Sequence, residues 1–242
     1  MALYMDGPVS TIEDLRAEDS QLNDVASIEG VDVTQKLALA KEDVGFDLER
    51  LLDGKQPLGK VLLTRALQVW HVYRTLEMMY RDAYFTHLND RYKKKRNQFH
   101  ELAKDAREHV IHRGVEIVLN PVRRAATPAL ATTTGTLPAG IYYATITWLS
   151  RDGAEGQPAG PDAIQVTIGG FTVTPGDPVP TAVAWNVYVG GGPDCMTLQN
   201  VVPLSISAAW PQTSAPTTNG RGPGTGQPAD YIQPVPRVLP RG

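Results

Sequence analysis

The stretch "HVIHRGVEIVLNP", residues 109–121, decides the fold class because the sequence pattern changes within it. Upstream, apolar residues recur at helical spacing, and Gly114 is the kind of residue that commonly ends a helix. The residues after it are rich in valine and isoleucine and predict a short strand, which Pro121 stops. The sequence therefore predicts an α+β chain with a helical first half and a strand-rich second half.

Upstream of Gly114 the sequence predicts three long helices and a short one. The stretch Ser10–Glu13, "STIE", predicts a capping box in which the Ser10 hydroxyl accepts a hydrogen bond from the Glu13 amide. The run Lys60–Thr86 is apolar on more than one side, so we expect it to be central, and Asp90–Gly114 is the third long helix. The first long helix is indicated by one apolar stripe, formed by Val33, Leu37, Ala40, Val44, Leu48 and Leu51.

Downstream, the composition changes to that of short strands and turns. After residue 124 lie 16 of the 22 glycines and 16 of the 19 prolines. In "GIYYATITWL", residues 140–149, alternate positions predict one face formed by Tyr142, Ala144, Ile146 and Trp148. A turn is predicted at "RDGAEG", residues 151–156, and further strands at "AIQVTIGG" and "AWNVYVGGG". Such regularly spaced strands predict an antiparallel β-sandwich.

These patterns predict three parts. Residues 1–124 form a helical bundle, residues 125–212 a β-sandwich, and residues 213–242 an extended C-terminal arm too rich in proline and glycine to build a core. Apolar residues return near the end of the arm, which predicts that it docks on a surface. The candidate docking residues are Tyr231, Ile232, Val235, Val238 and Leu239.

Charge is distributed unevenly along the first half. The chain has a net charge of −3, but residues 1–53 sum to −9 and residues 54–124 to +8. Opposed segments of this kind often pack against each other, within one chain or between identical copies. The positive charge is densest in a basic cluster of five residues, Arg91, Lys93, Lys94, Lys95 and Arg96.

Three interpretations of the basic cluster stay open at this point. It could contact nucleic-acid phosphates, pair with the acidic segment of the same or a neighbouring chain, or simply be solvated. No helix–turn–helix or zinc motif accompanies it, so any contact with DNA is expected through charge and not through base edges.

No motif in the sequence indicates catalysis. The chain lacks a nucleophile elbow, a phosphate-binding loop and a dinucleotide-binding motif. His109 and His112 are interpreted as surface residues because a metal site needs further ligands, and Cys195 has no evident activating base. We therefore expect no catalytic residue, no metal site and no cofactor. No apolar run is long enough for a membrane span and the N-terminus lacks signal-peptide features, which predicts cytosolic synthesis.

The order of parts resembles the head–tail adaptor, or connector, proteins of tailed double-stranded DNA phages. That order is a short capped helix, an acidic amphipathic helix, a long aromatic helix and a basic helix. The second half is similar to the immunoglobulin- or fibronectin-III-like modules of phage structural proteins. This second resemblance is carried by "WNVYVG" at residues 185–190 and by Gly140, Tyr142, Tyr143, Thr147, Trp148, Gly153, Glu155 and Gly156.

The resemblance implies a structural virion protein without enzymatic activity. Twelve copies would form a ring at the head–tail junction, dock on the portal and contact a tail or neck protein, after assembly in the host cytoplasm. Duplex DNA would pass through the ring without sequence readout, and the basic cluster would face this channel or the next subunit. Membranes and cofactors have no part in this role. The alternatives are a tail, baseplate or fibre-attachment protein with an adhesive sandwich domain, or a non-specific DNA-binding protein.

Overall fold

The computed structural model describes residues 1–87 and 90–235, with only the backbone described at residues 86 and 87. Its helices are α1 (Ile12–Glu18), α2 (Leu22–Glu29), α3 (Val33–Leu51), α4 (Arg65–His87) and α5 (Lys93–Arg113). Its strands are β1 (Val115–Ile117), β2 (Ala129–Thr133), β3 (Gly140–Leu149), β4 (Asp162–Val166), β5 (Gly170–Thr174), β6 (Ala184–Gly190), β7 (Thr197–Leu198), β8 (Leu204–Ser205), β9 (Trp210–Gln212) and β10 (Tyr231–Gln233). The α+β prediction, with helices first and strands after them, is confirmed. Among the described residues, no helix combines the length and apolar character needed to cross a membrane.

The chain forms two compact units. The helical unit comprises Gly7–Ile117 and the C-terminal residues from Ala229, whereas the strand unit comprises Met1–Asp6 and Val118–Pro228. This division differs from the ranges predicted from composition. Composition cannot show that the first six residues join the strands or that a C-terminal strand returns to the helices.

Helix α3 has the bounds that its apolar stripe predicts. The Asp32 side chain caps its start by accepting a hydrogen bond from the Gln35 amide at 3.1 Å. Ala40, Val44 and Leu48 of the stripe are fully buried. Burial of each of the larger two contributes about 1.5–3 kcal/mol, so α3 is held mainly by this face.

The capping box of α1 lies one residue later than predicted. Thr11, not Ser10, is the N-cap residue; its hydroxyl accepts from the Asp14 amide, and the Asp14 carboxylate accepts from the Thr11 amide at 2.8 Å. The prediction was wrong because the Ser10 hydroxyl has another partner, the buried ring of His71 at 2.7 Å.

Helix α4 is the centre of the helical unit, because α1, α2, α3 and α5 all pack against it. The expectation from its many-sided apolar pattern is thus confirmed. Its side chains form the largest part of one core cluster, in which Leu15, Leu22 and Phe99 join Leu76, Met79 and Tyr80.

The helical unit ends with a strand contributed by the end of the chain. Strand β10 pairs antiparallel with β1, with Glu116 opposite Ile232. Gly114 precedes β1 at φ +80°, and a Cβ there would lie 2.7 Å from a side-chain carbon of Ile232. Glycine is therefore required at this position both to end α5 and to let β10 approach.

The strand unit contains two antiparallel sheets around one core. One has the order β2–β5–β9, and the other has the order β4–β3–β6–β7 with β8 also paired to β6. Tyr142, Ala144, Ile146 and Trp148, which the alternation places on one face of β3, are all buried in this core, and Thr145 and Thr147 of the opposite face are buried as well. Trp148 lies directly opposite Trp185 of β6, and both are fully buried, so this aromatic pair fixes the register of the central strands.

Candidate functional site

The five residues of the basic cluster do not share one environment. Lys93 and Lys94 are exposed at the start of α5, and within the described residues neither forms an ion pair. The Arg96 guanidinium lies 4.6 Å from the ring centre of Tyr84, and that of Arg91 lies 5.6 Å from the ring centre of Tyr92. Stacking on an aromatic face is a common way to hold an arginine at a surface.

Lys95 is held by a buried acidic residue of the same helical unit. Its ammonium donates to Asp19 at 2.5 Å and lies 3.3 Å from the Tyr80 hydroxyl. The Tyr80 hydroxyl also donates to Asp19, whose side chain is only 3% exposed. Lys95 thus has a structural role within the helical unit, whereas Lys93 and Lys94 are exposed to solvent.

Burial and hydrogen-bond donors together determine the pKa values of Asp19 and Tyr80. Burial alone raises the pKa of Asp19, but hydrogen bonds from Lys95 and Tyr80 outweigh burial and leave that pKa below its usual value. Burial and the neighbouring carboxylate raise the pKa of the Tyr80 hydroxyl. At neutral pH, Asp19 is therefore an ionised acceptor and Tyr80 a neutral donor.

The sequence contained a signal for the role of Lys95. The buried residues of α5 are Phe99, Ala103, Ala106 and Val110, and Tyr92 just before the helix is buried as well. Lys95 lies on the same stripe, three residues after Tyr92 and four before Phe99. A lysine at a core-facing position predicts a buried anionic partner, although spacing cannot name that partner.

In the described part of the helical unit, acidic residues of the first segment pair with basic residues of the second at two further places. Asp43 accepts from Arg74 at 2.7 Å, and Asp47 accepts from Arg107 at 2.6 Å. Part of the opposed charge is thus already used within the helical unit. Only the charged side chains outside these ion pairs remain available to other partners.

A polar cleft lies between α3 and α5 on one side of α4. It has a volume of about 350 Å³, and the exposed ring of Phe46 borders it above the buried Trp70. Inside, Arg74 bridges Asp43 and Glu77, and Glu77 also pairs with His100 Nδ1 at 2.8 Å. Both carboxylates are engaged by cations or donors, so the cleft is organised as an ion-pair network.

A second hollow, here called the α4–α5 groove, lies elsewhere on the helical unit and is mainly apolar. Its volume is about 380 Å³, and its floor and walls are Ala66, Val69, Tyr73, Leu102 and Ala106. The exposed rim carries Arg65, Asp105, His109 and Arg113. On α5 the groove uses Leu102 and His109 whereas the cleft uses Lys104 and Arg107, so the two hollows lie on different sides of that helix.

The other residues considered for chemistry lie apart. His109 is on the groove rim and His112 is exposed on the same helix. The exposed thiol of Cys195 donates to the Gly192 carbonyl at 3.4 Å. Within residues 1–87 and 90–235, no group of three or more histidine, cysteine or acidic side chains could hold a metal ion.

The first of the candidate docking residues of the arm belong to the helical unit of their own chain. Tyr231 and Ile232 belong to β10, with Ile232 54% exposed, and Val235 is buried. Val238 and Leu239 lie outside the described residues. The start of the predicted arm is therefore part of a small sheet.

The strand unit holds a largely buried carboxylate whose environment the sequence did not predict. Glu155 lies within the predicted turn at residues 151–156, and its side chain is 15% exposed. It accepts from Thr147, from the Tyr188 hydroxyl and from Asn186 at 3.3 Å, and it pairs with Arg221 at 2.7 Å. Burial raises its pKa, but these donors outweigh burial and leave that pKa below its usual value. The carboxylate thus ties β3, β6 and the segment after β9 together.

One buried histidine has a defined proton arrangement. His71 Nε2 lies 3.0 Å from the Leu37 carbonyl, which can only accept, so Nε2 carries the proton. Nδ1 then accepts from the Ser10 hydroxyl. Burial lowers the pKa of His71 to about 4; the Leu37 carbonyl raises it, nearby Lys41 lowers it further and Asp14 raises it.

This arrangement predicts an acid-sensitive helical unit. A histidine whose pKa is lowered by folding stabilises the fold fully above its unfolded value of 6.5, and this contribution is lost as the pH falls towards 4. We expect a loss of about 3 kcal/mol in the free energy of unfolding across that window. Urea unfolding followed by helical circular dichroism at several pH values measures it.

The matched comparison uses His71→Gln and His109→Gln, which changes an exposed histidine of the same unit. The His71 variant should be less stable at pH 7 and should lose little more down to pH 4.5, whereas the His109 variant should follow the unmodified chain. An equally steep loss in the His71 variant would mean that another group causes the acid sensitivity.

Comparison with known protein families, curated protein sequences and solved structures finds no match for this chain.

Proposed function

We propose that this chain is a subunit of the head–tail adaptor of a tailed double-stranded DNA phage. In this proposal twelve copies form a ring that docks on the portal, joins it to the tail and leaves a channel for DNA. The chain is a structural virion protein and not an enzyme. Its strand unit is an immunoglobulin- or fibronectin-III-like sandwich outside the ring.

The observation that carries the proposal is the presence of two different open faces on one helical unit. One is the exposed side of α3 with Phe46, which is 70% exposed, and the other is the α4–α5 groove. A ring with one subunit type needs two unlike surfaces on each copy, because every copy contacts its neighbours through different faces. An exposed phenylalanine and a separate apolar groove supply such a pair of surfaces.

The basic cluster supports a passage for DNA without sequence readout. Lys93 and Lys94 are the members of the cluster left exposed without an ion pair in the described part of the chain. Two flexible lysines attract phosphates but do not read base edges, which suits a channel through which any sequence must move.

A tail, baseplate or fibre-attachment protein is the second candidate, and loops of the strand unit favour it. Val201 is 99% exposed, Val202 70% and Ile168 87%. Apolar side chains at loop tips are suited to contact with another protein. In this alternative the strand unit would be the adhesive part.

The test is immunogold electron microscopy of phage particles that carry the chain, with an antibody against it. Label at the neck, where head meets tail, supports the adaptor. Label at the distal tail supports the second candidate and rejects the adaptor. If intact particles carry no label, a titration with duplex DNA at several salt concentrations decides whether the chain is a DNA-binding protein, since such binding weakens steeply with salt.

A further inference from the structure

The exposed side of α3 carries an alternating apolar and acidic pattern. Leu39, Glu42, Phe46 and Glu49 follow one another at spacings of three and four residues, so they form one stripe, here called the α3 stripe. Leu39 is 41% and Phe46 70% exposed. Both glutamates are exposed, and within the described residues neither forms an ion pair.

The α4–α5 groove complements this stripe in shape. Leu39 and Phe46 are seven residues apart, which spans about 10 Å along a helix. The groove has the same length, from Ala66 to Tyr73 on α4 and from Leu102 to His109 on α5. Alanines at 66 and 106 keep the groove open, and its volume of about 380 Å³ accommodates a phenyl ring.

The two surfaces also complement each other in charge. The stripe presents two unpaired carboxylates, Glu42 and Glu49. The groove rim presents the guanidinium groups of Arg65 and Arg113 against the single carboxylate of Asp105. Opposite charges around an apolar contact favour one partner and one orientation.

We propose that the α3 stripe of one copy docks in the α4–α5 groove of the next copy, with Phe46 as the central apolar contact. The two surfaces differ, so the contact is head to tail, and its repetition closes a ring when the rotation between neighbouring copies divides a full turn. This inference rests on the proposed function, since it names the subunit contact of the proposed ring. The occupant of the groove is thus a second copy of this chain.

Two charge-reversal variants of the full chain test the contact. In Glu42→Lys with Glu49→Lys, the stripe becomes basic; in Arg65→Glu with Arg113→Glu, the groove rim becomes acidic. We expect each variant alone to self-associate about tenfold or more weakly than the unmodified chain, because like charges then face each other. Sedimentation velocity over a concentration series measures this association.

Mixing the two variants is the decisive step. A basic stripe then meets an acidic rim, and an acidic stripe meets a basic rim, so the mixture should regain association. The control is Asp177→Lys with Asp194→Lys, which changes the net charge by the same amount at exposed turns of the strand unit and should leave association unchanged. An unmodified chain that stays monomeric throughout the series, or a mixture that fails to associate, overturns the proposal.

A pair of phenylalanine variants distinguishes the proposed apolar contact from non-specific association of exposed apolar side chains. Phe46→Ala should weaken self-association about tenfold or more, because buried aromatic anchors dominate interfaces. Phe85→Ala, which removes another exposed ring of the helical unit at 57% exposure, should not. Equal effects of the two variants would reject the α3 stripe as the docking surface.

The outcome is distinguishable from a failure of the proposed function. Neck label without rescue by mixing keeps the adaptor and rejects this contact. Rescue without neck label keeps the contact and rejects the adaptor.

Discussion

Replacing Lys95 with alanine is expected to lower the free energy of unfolding of the helical unit by about 3 kcal/mol, because removal of one partner of a buried ion pair leaves an uncompensated charge. Asp19 is 3% exposed and keeps the Tyr80 hydroxyl and the Gln21 amide as donors, which places the effect at the lower end for such pairs. Urea unfolding followed by circular dichroism at 222 nm measures it, since that signal comes mainly from the helices.

The matched control is Lys94→Ala, one residue earlier on the same helix. Lys94 is exposed, so this variant should stay within about 0.5 kcal/mol of the unmodified chain. A cost for Lys94→Ala equal to that for Lys95→Ala would show that Lys95 is not held by Asp19 in solution.

A double variant tests whether the loss of stability comes from the uncompensated charge of Asp19 or from the loss of the ion pair itself. Lys95→Met combined with Asp19→Asn removes both charges and should recover about half of the loss caused by Lys95→Ala. No recovery would contradict the uncompensated charge of Asp19 as the cause of the loss, because the double variant removes that charge and keeps most of the aliphatic stem of residue 95.

The pH dependence has a defined sign. The folded pKa of Asp19 lies below the ordinary value of 3.8, so the pair stabilises the fold above that value, and the contribution is lost as the pH falls through the lower, folded pKa. The difference between Lys95→Ala and the unmodified chain should therefore be constant from pH 7 to 5 and narrow below pH 4.

This result bears on the DNA question raised by the basic cluster. A reversal that includes Lys95 would damage the fold and could be mistaken for lost DNA contact. The clean test changes Lys93 and Lys94 alone and measures DNA retention by assembled particles. Normal assembly and retention would then remove both the channel and the subunit interpretation of these two lysines.

Periodicity predicted those parts of the fold in which local pattern and tertiary packing agree. The stripe from Val33 to Leu51 gave the bounds of α3, and Gly114 follows directly after α5. The alternation in residues 140–149 placed Tyr142, Ala144, Ile146 and Trp148 on one face of β3, and all four are buried. Regular spacing of apolar residues along an element is a signal that a single sequence displays.

The pairing of strands that are far apart in the chain could not be predicted from the sequence. The short strands β2, β5 and β9 form a sheet whose partners are far apart in the chain, and none has a strong pattern by itself. The return of β10 to β1 likewise depends on a partner more than a hundred residues away. Local patterns carry no information about such long-range choices.

The candidate site was only partly predicted because the roles of its residues depend on their surroundings in the folded chain. The basic cluster was identified as a group, but its division into Lys95 and the exposed lysines depends on Asp19 being brought to α5 by the fold. The burial of Glu155 was not predicted, because a glutamate in a turn is usually exposed. It is buried here because donors from β3, β6 and Arg221 converge on it.

Replacing Glu155 with alanine is expected to destabilise the strand unit by about 4 kcal/mol, because it leaves Thr147, Tyr188 and Asn186 without their acceptor and Arg221 without its partner. Fluorescence of the tryptophans in the strand unit reports its unfolding in urea. Asp177→Ala, at an exposed turn of the same unit, is the control and should have little effect.

A graded series assigns the effect to the carboxylate and its donors. Tyr188→Phe removes one donor and should cost about 1 kcal/mol. Glu155→Gln keeps the shape and one acceptor oxygen but loses the charge, so it should cost about 2 kcal/mol. Both should be milder than Glu155→Ala, and a Glu155→Gln cost equal to the alanine cost would mean that charge, not hydrogen bonding, dominates.

Acid provides a further check on the same carboxylate. Its folded pKa lies below the ordinary value of 4.5, so its stabilising contribution is present above that value and is lost as the pH falls through the folded pKa. The gap between the unmodified chain and Glu155→Gln should thus persist from pH 7 to 5 and shrink in stronger acid. A gap that does not change with pH would contradict an ionised Glu155, and the donors around it would then be bonded to a neutral acid.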